Sequence, residues 1–193
     1  MVLSDQEIRA ALDAGDLIID PRPQPEAYAT MSVDLRLGSE FRTWGFSRLK
    51  RAFGGPPSVY VSTYDWTHLA RDHLTEVQPG NDGCVSLEPN SFMLAVTEEK
   101  VGFPLRGGLA GRIEGRSSLA RLGLSVHFAP TLHLGWEGKI TLELHNVGSA
   151  VLKLKPGDYV CQLIVEKVSG AATTTMQGTR FYGQQTPAGL ERT

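Results

Sequence analysis

The chain has 193 residues, of which 41% are hydrophobic and 21% are charged, an ordinary composition for one globular domain. Its formal net charge of -2 argues against a protein that coats DNA or RNA, although a local basic pocket for a single nucleotide stays allowed. The apolar runs are too short to span a bilayer and the first residues lack a signal-peptide core, so we expect a soluble cytoplasmic protein.

The first predicted element is a helix over residues 4–14. Ser4 and Glu7 have the capping-box spacing, in which each residue hydrogen-bonds the other's backbone, and an apolar stripe runs through Ile8. Gly15 follows where the helix is expected to end, because glycine adopts the left-handed conformation at low cost.

After this helix the pattern becomes that of β-strands. Short alternating or apolar runs are separated by turn signals rich in Gly, Pro and Asn, which favours a closed or sandwiched β domain. Two segments differ, since 46–57 is typical of a basic loop and 169–193 is a Gly-, Thr- and Gln-rich tail with little core-forming content. The predicted strands are 32–37, 59–62, 92–97, 109–113, 124–128, 139–144, 151–154 and 159–165.

The most informative stretch is GRSSLARLG. Arg116, Ser117 and Ser118 open a short predicted helix that Arg121 continues and Gly123 ends, with serine as N-cap and glycine as left-handed C-cap. Such a helix start offers backbone N–H groups, hydroxyls and a guanidinium to an anion, which is how proteins bind phosphate. Serine N-capping alone is the commoner use of this pattern, and the two roles can coexist.

A carboxylate follows in the strand predicted over 139–144. The alternation of KITLEL places Glu143 on the polar side with Lys139 and Thr141. A glutamate of this kind is most often an exposed residue in a surface ion pair. Its position close in sequence to an anion-binding pattern indicates a second possibility, a role in catalysis.

GRSSLARLG followed by GWEGKITLELHN resembles the dCTP deaminase branch of the trimeric dUTPase-like superfamily. The similarity continues in the same order through LSDQEIRAALDAGDLIIDP, SVDLRLGSEFR, LEPNSFMLAVTEE and RFYGQQTP, and it is weakest in 45–81. The resemblance implies an all-β dominated fold with a minor α component, a dUTPase-like β-clip or distorted β-barrel. It also implies one domain over 1–193, with a flexible tail over 169–193 that closes over the nucleotide.

The same resemblance implies an activity and an assembly. The activity is the hydrolytic deamination of dCTP to dUTP and ammonia, and the assembly is a homotrimer with nucleotide sites at the subunit interfaces. Zinc-dependent cytidine deaminases carry an H-x-E and P-C-x-x-C signature, which this sequence lacks. Cys84 and Cys161 are lone cysteines in apolar surroundings and are expected to be buried thiols. Magnesium is expected only as the companion of the triphosphate.

Without a metal, the water that attacks C4 of cytosine needs a general base, and the same carboxyl can return the proton to N3 and the leaving amine. The resemblance assigns this role to Glu143. It places Arg121 beside the reacting base, where a guanidinium would stabilise charge on the ring. Ser117 could help to hold the attacking water. The substrate-binding residues implied are Arg116, Ser117, Ser118, Arg121, His133, Thr141, Leu142, Glu143, Arg180 and Gln184.

Two positions in this set depart from the family pattern. Arg180 stands where the family usually has lysine, and arginine can still bind a triphosphate. His133 stands where a sugar-contacting aspartate is usual, three residues before Trp136; an imidazole can hydrogen-bond a sugar hydroxyl but is not a permanent anion. In related dUTPases that aspartate helps to activate water at the α-phosphate, so its absence argues against a pyrophosphatase step. His127 matches a family histidine near the site, or is a hydrogen-bonded core residue.

Two alternatives stay open. A dUTPase-like pyrophosphatase, or a bifunctional dCTP deaminase and pyrophosphatase, would use the same phosphate cradle but release pyrophosphate. A catalytically inactive nucleotide-binding trimer would bind nucleotide without forming product. Glu143 favours deamination over both.

Overall fold

The structure is a computed structural model that describes residues 1–45, 58–126 and 131–189. Its first element, α1, spans Asp5–Ala14 and confirms the predicted helix. Glu7 N donates to Ser4 Oγ, and the Glu7 carboxylate accepts from Ser4 N at 3.0 Å, so the capping box is formed. Gly15 ends the helix in the left-handed conformation at φ 70°. Ile8 is fully buried and fixes α1 on the core.

Antiparallel strands make up the body of the fold. Each predicted strand except 59–62 has a counterpart, and the observed strands are often longer than the alternating run that indicates them. In the described residues they are β1 (Ile18–Asp20), β2 (Tyr28–Ala29), β3 (Ser32–Trp44), β4 (Leu74–Glu76), β5 (Val85–Leu87), β6 (Phe92–Gly102), β7 (Leu109–Gly115), β8 (Leu124–Ser125), β9 (Thr131–Leu132), β10 (Glu137–Asn146), β11 (Leu152–Leu154) and β12 (Tyr159–Lys167).

Ten of these strands form one sheet with the order β8-β10-β6-β3-β12-β7-β9. The short strand β1 pairs with β6, and β2 and β4 pair with β3, while β5 and β11 form a separate two-stranded sheet. The sheet curls around the main apolar core, to which α1 and the inward side chains of the long strands contribute. Phe41, Leu142 and Leu163 are almost fully buried there, and each large apolar side chain contributes about 1.5–3 kcal/mol.

The predicted strand at 59–62 is wrong. Residues 58–60 have no regular structure and 61–63 form a turn. Val59, Tyr60 and Val61 are 40%, 77% and 82% exposed, so the run is apolar without packing against a sheet. The predicted strand 124–128 is formed at 124–125, and its last two residues lie outside the described part of the chain.

A helix that the sequence pattern did not indicate follows this turn. It is α2, Trp66–His73. Its N-cap is Asp65, whose carboxylate accepts hydrogen bonds from Thr67 N at 2.9 Å and from His68 N at 3.4 Å. The helix has only eight residues, which is shorter than the stretch over which helical periodicity is read, so the sequence pattern did not indicate it.

The predicted helix in GRSSLARLG is formed as a single turn, α3, Ser117–Ala120. The prediction that a serine caps it is wrong, because the N-cap is Arg116, whose side chain makes no capping hydrogen bond. Arg121 is the C-cap in a right-handed conformation rather than a continuation of the helix. The left-handed residue comes two positions later at Gly123, where φ is 96°. Among the described residues, no helix is both long enough and apolar enough to span a membrane.

Candidate active site

A cavity of about 320 Å³ lies beside the polar face of β10. Thr141 and Glu143 reach it from β10, as the predicted alternation requires, since alternate residues of this strand are buried in the core. This volume is at the small end of the range for ligand sites, roughly 300–1,000 Å³. The remaining wall comes from the β9–β10 region, β6, α2 and the tail: Leu94, Trp66, Thr131, Leu132, His133, Trp136, Ile140, Met176, Thr179, Phe181, Gln184 and Pro187.

The wall of the cavity is mainly apolar, with a few polar side chains. Glu143 and His133 are the titratable side chains among the described residues that line it. His133 is exposed and lies just before a turn in which Trp136 N donates to His133 O at 3.0 Å. An apolar wall with a few polar groups is typical of a site that orients a small molecule.

The pairing between β10 and β6 is irregular beside the cavity, with extra residues on β6. The pairing of β10 with β6 shifts register between Lys139 and Thr141. Thr97 is fully buried at this point, where its hydroxyl accepts a hydrogen bond from Ile140 N at 3.0 Å and donates one to Glu99 O at 2.7 Å. Bulges of this kind re-aim side chains and are common next to active sites. Thr97 therefore supports the geometry around Glu143, and no sequence motif pointed to it.

The tail binds along the start of β10. Gly183 N donates to Glu137 O at 2.7 Å, and Lys139 N donates to Gln184 O at 2.9 Å. Trp136 Nε1 donates to Phe181 O at 3.1 Å. These bonds bring the tail segment against the wall of the cavity.

Gln184 is buried in this segment at 4% exposure and lines the cavity. Its Nε2 donates to Lys139 O at 2.8 Å, whereas Oε1 is buried and has no hydrogen-bond partner among the described residues. A buried acceptor without a partner costs about 1–3 kcal/mol. Oε1 is therefore a candidate acceptor for a ligand N–H group.

Arg116 is fixed outside the cavity wall. Its Nη2 lies 3.3 Å from Asp34 Oδ2, its Nη1 donates to Tyr159 O at 3.2 Å, and its guanidinium lies 5.9 Å from the Tyr159 ring centre. Asp34 also accepts from Gln162 Nε2 at 2.9 Å. Burial raises the pKa of Tyr159 above its ordinary value, which keeps the phenol neutral. Two strands, β3 and β12, thus hold one guanidinium in place.

The other basic and hydroxyl residues of the predicted site are exposed. Arg121 Nη1 donates to Ser117 O and Ser117 Oγ, each at 3.3 Å. The described residues that line the cavity do not include Arg121, Ser117, Ser118 or Arg180.

The structure thus gathers part of the predicted set around one cavity. Glu143, Thr141, His133 and Gln184 line it, and the remaining predicted residues do not. Leu142 turns its side chain into the core at 1% exposure. His127 lies outside the described residues.

The described ranges contain no cluster of side chains placed to bind a metal ion. Over 1–45, 58–126 and 131–189, no three His, Cys, Asp or Glu side chains are placed to hold a metal ion. Cys161 is fully buried, and burial strongly raises the pKa of its thiol. Cys84 is partly exposed, so the expectation of a buried thiol is wrong there.

Comparison with known proteins gives consistent relatives. A family model described as dCTP deaminase-like matches residues 2–168. A protein of Shewanella frigidimarina named dCTP deaminase is 38% identical over 191 residues, which cover 96% of this chain and 94% of that protein. One of Methanosphaera stadtmanae, named dCTP deaminase, dUMP-forming, is 35% identical over 185 residues, which cover 95% of this chain and 85% of that protein.

A solved structure shares the fold. The crystal structure of 2'-deoxycytidine 5'-triphosphate deaminase from Agrobacterium tumefaciens superimposes with a TM-score of 0.62 at 19% identity. The match covers 86% of this chain and 48% of that chain, so this chain spans about half of its length. This likeness confirms the predicted β-rich architecture.

Proposed function

Because the chain belongs to the dCTP deaminase-like family, we propose that it converts dCTP and water into dUTP and ammonia without a protein-bound zinc ion. The observation that carries the proposal is the position of Glu143, which reaches a small and mainly apolar cavity from the polar side of β10. A carboxyl in such surroundings is suited to proton transfer, because little water competes with the ligand for it.

In the proposed reaction Glu143 accepts a proton from water as the water oxygen bonds to C4 of cytosine. The carboxyl returns that proton to N3, and the resulting tetrahedral centre loses its exocyclic nitrogen. A second proton from the added hydroxyl reaches the leaving nitrogen through the same carboxyl, so the C4–N bond breaks with release of ammonia. The carbonyl of uracil forms at C4, and Glu143 ends in its starting state.

The other lining residues position the substrate. Gln184 Oε1 offers an acceptor to a ligand N–H group, because its amide is already oriented by the bond from Nε2 to Lys139 O. His133 and Thr141 offer hydrogen bonds to sugar or base. The tail, which contributes Gln184, is proposed to close over bound nucleotide and to bring Arg180 to the triphosphate.

Four of the other predicted residues, Arg116, Ser117, Ser118 and Arg121, are proposed to complete the site of a neighbouring copy in a homotrimer. Ser117, Ser118 and Arg121 are exposed and do not line the cavity of their own chain, which is the arrangement expected when they serve a partner. There they and Arg116 would bind phosphate, Arg121 would stabilise charge on the ring, and Ser117 would help to hold the water. Magnesium would enter on the triphosphate, because the cavity wall offers one carboxylate.

The test is the replacement of Glu143 by Gln, which keeps the shape of the side chain and removes the base. Ammonia release from dCTP should fall by at least about 100-fold, the usual contribution of a general base, while nucleotide still binds. Glu137→Gln is the matched control, because Glu137 lies on the same face of β10, pairs with Lys100 and is absent from the cavity wall. Wild-type deamination by the E143Q variant would overturn the mechanism.

A bifunctional activity is the second candidate, because the Methanosphaera stadtmanae relative is named dUMP-forming. His133 in the cavity wall argues against it, since an imidazole is not a permanent anion for a water at the α-phosphate. Measuring ammonia and pyrophosphate from one dCTP incubation separates the two activities. Tight binding of dCTP without either product would instead support an inactive nucleotide-binding trimer.

A further inference from the structure

We propose that Trp66 is a positioning residue that latches the tail over the cavity. It is the first residue of α2, in the segment 45–81 where the sequence resembles the family least. The proposal concerns the same cavity as the proposed function. The effect of Trp66 on deamination rests on that function, whereas its effect on the docking of the tail does not.

Trp66 contacts the tail at two separated points. Its Nε1 donates to Ala188 O at 3.0 Å, across 122 positions of sequence. Its ring meets Phe181 edge to face, with 5.8 Å between ring centres and 79° between planes. These two points lie on either side of Gln184 in sequence, so one indole contacts the tail before and after this cavity-lining residue.

The indole is itself held by the body of the protein. Trp44, at the end of β3, packs edge to face against it with 5.8 Å between ring centres. Asp65 caps the helix at the preceding position, where its carboxylate accepts from Thr67 N. Trp66 is therefore anchored before it contacts the tail, which is what a latch requires.

The latch is distinct from the second attachment of the tail. That attachment is the backbone pairing of Gly183 and Gln184 with Glu137 and Lys139 of β10. The β10 contact fixes the middle of the segment. Before it, Trp136 Nε1 holds Phe181 O and Trp66 packs against the Phe181 ring, and after it Trp66 holds Ala188 O. Trp66, Phe181 and Gln184 all line the cavity, so the latch determines whether this wall is present before the ligand arrives.

Hydrogen exchange of the unliganded protein tests the latch directly. In the segment 181–189, Gly183 N bonds to Glu137 O of β10 and is an amide that docking of the tail protects, whereas Tyr182 N and Gly189 N bond to Thr179 O and Thr186 O within the tail. Trp66→Phe keeps a ring against Trp44 and Phe181 but removes the bond to Ala188 O. Exchange of the segment should accelerate by roughly 3- to 10-fold, the size of one net hydrogen bond. Thr67→Ala, an exposed change in the same helix, should exchange as the wild type does.

The tail side of the contact supplies an independent variant. Phe181→Ala leaves α2 untouched and should also accelerate exchange. The double variant with Trp66→Ala should gain less than the product of the W66A and F181A effects, because each single change already removes the ring contact between the two residues. Unchanged exchange of 181–189 in F181A and W66F would overturn the proposal. A full multiplicative effect in the double variant would also overturn it, because the two residues would then act separately.

Kinetics distinguish the latch from a general loss of structure. If the latch orders the wall before binding, W66F should raise KM for dCTP severalfold and leave kcat within about twofold, because the reacting groups stay in place. A fall in kcat with KM unchanged would contradict this. If wild-type protein does not deaminate dCTP while W66F still accelerates tail exchange, the proposed function fails and the latch stands.

Discussion

Replacing Thr97 by valine should show how much the bulge beside Glu143 depends on one buried hydroxyl. Valine has nearly the shape of threonine, so the change removes the hydroxyl without opening a cavity. In the structure that hydroxyl serves two backbone groups at once, accepting from Ile140 N at 3.0 Å and donating to Glu99 O at 2.7 Å.

The expected loss of stability in Thr97→Val comes from leaving Ile140 N and Glu99 O buried without this partner. Each unsatisfied buried group costs about 1–3 kcal/mol, so leaving two of them should lower the free energy of unfolding of Thr97→Val by about 2–6 kcal/mol. Thr97→Ser is the matched control, because it keeps the hydroxyl and loses one buried methyl, which costs about 1 kcal/mol. The isosteric change should therefore be the more damaging of the two.

Urea unfolding at one fixed protein concentration measures both variants, and the concentration must be matched because association adds to apparent stability. Ammonia release measured on the folded variants should fall more in T97V than in T97S, since the Thr97 hydroxyl holds Ile140 N, three residues before Glu143 on β10. If T97V equals or exceeds T97S in stability, the hydroxyl does not hold the bulge and the reasoning is wrong.

Three further changes have definite expected results. Gly138→Ala would place a Cβ 3.1 Å from the backbone N and O of Gln184, so Gln184 should shift by a few tenths of an ångström and the tail should bind β10 less tightly. Faster exchange of 181–189 and a higher KM would show this, and wild-type exchange would contradict it. Asn146→Ala removes three hydrogen bonds to backbone groups from a fully buried side chain, and urea unfolding should record a loss of about 2–4 kcal/mol. The hydrogen bond from Ser4 N lowers the pKa of Glu7, so the ionised carboxylate stabilises α1 fully above the ordinary carboxyl pKa, and this stabilisation is lost as pH falls through the lowered value. In thermal unfolding measured over a pH series, Glu7→Gln should therefore lose less stability on acidification than the wild type does, and an unchanged acid dependence would refute this.

Local signals in the sequence predict the elements that are stabilised locally. The capping box of Ser4 and Glu7 and the glycine after Ala14 define α1 within a few residues. The alternation through Glu143 predicts both β10 and the face on which this carboxylate lies, because the period of two is a property of the strand alone. The run at 59–62 shows the limit of this reasoning, since apolar residues there meet no sheet.

The composition of the cavity could not be predicted in the same way. Motif resemblance indicates Glu143 and Gln184, but the positions of Thr97 and Trp66 beside them depend on partners in distant elements. Trp66 meets Ala188 across 122 positions, and Thr97 meets Ile140 across 43. A capping rule also failed at Ser117, because the carbonyl that accepts the first helical bonds belongs to Arg116, at the end of β7.

The anchoring of Arg116 has a thermodynamic consequence for anion recognition. A free arginine loses about 1.5–2 kcal/mol of rotamer entropy when it is immobilised. Asp34 and Tyr159 O have already immobilised Arg116, whereas the hydrogen bonds of Arg121 within the described part of the chain go to Ser117, in the single-turn helix that precedes it. Calorimetry with inorganic triphosphate should therefore find a smaller entropic penalty for the contribution of Arg116 than for that of Arg121.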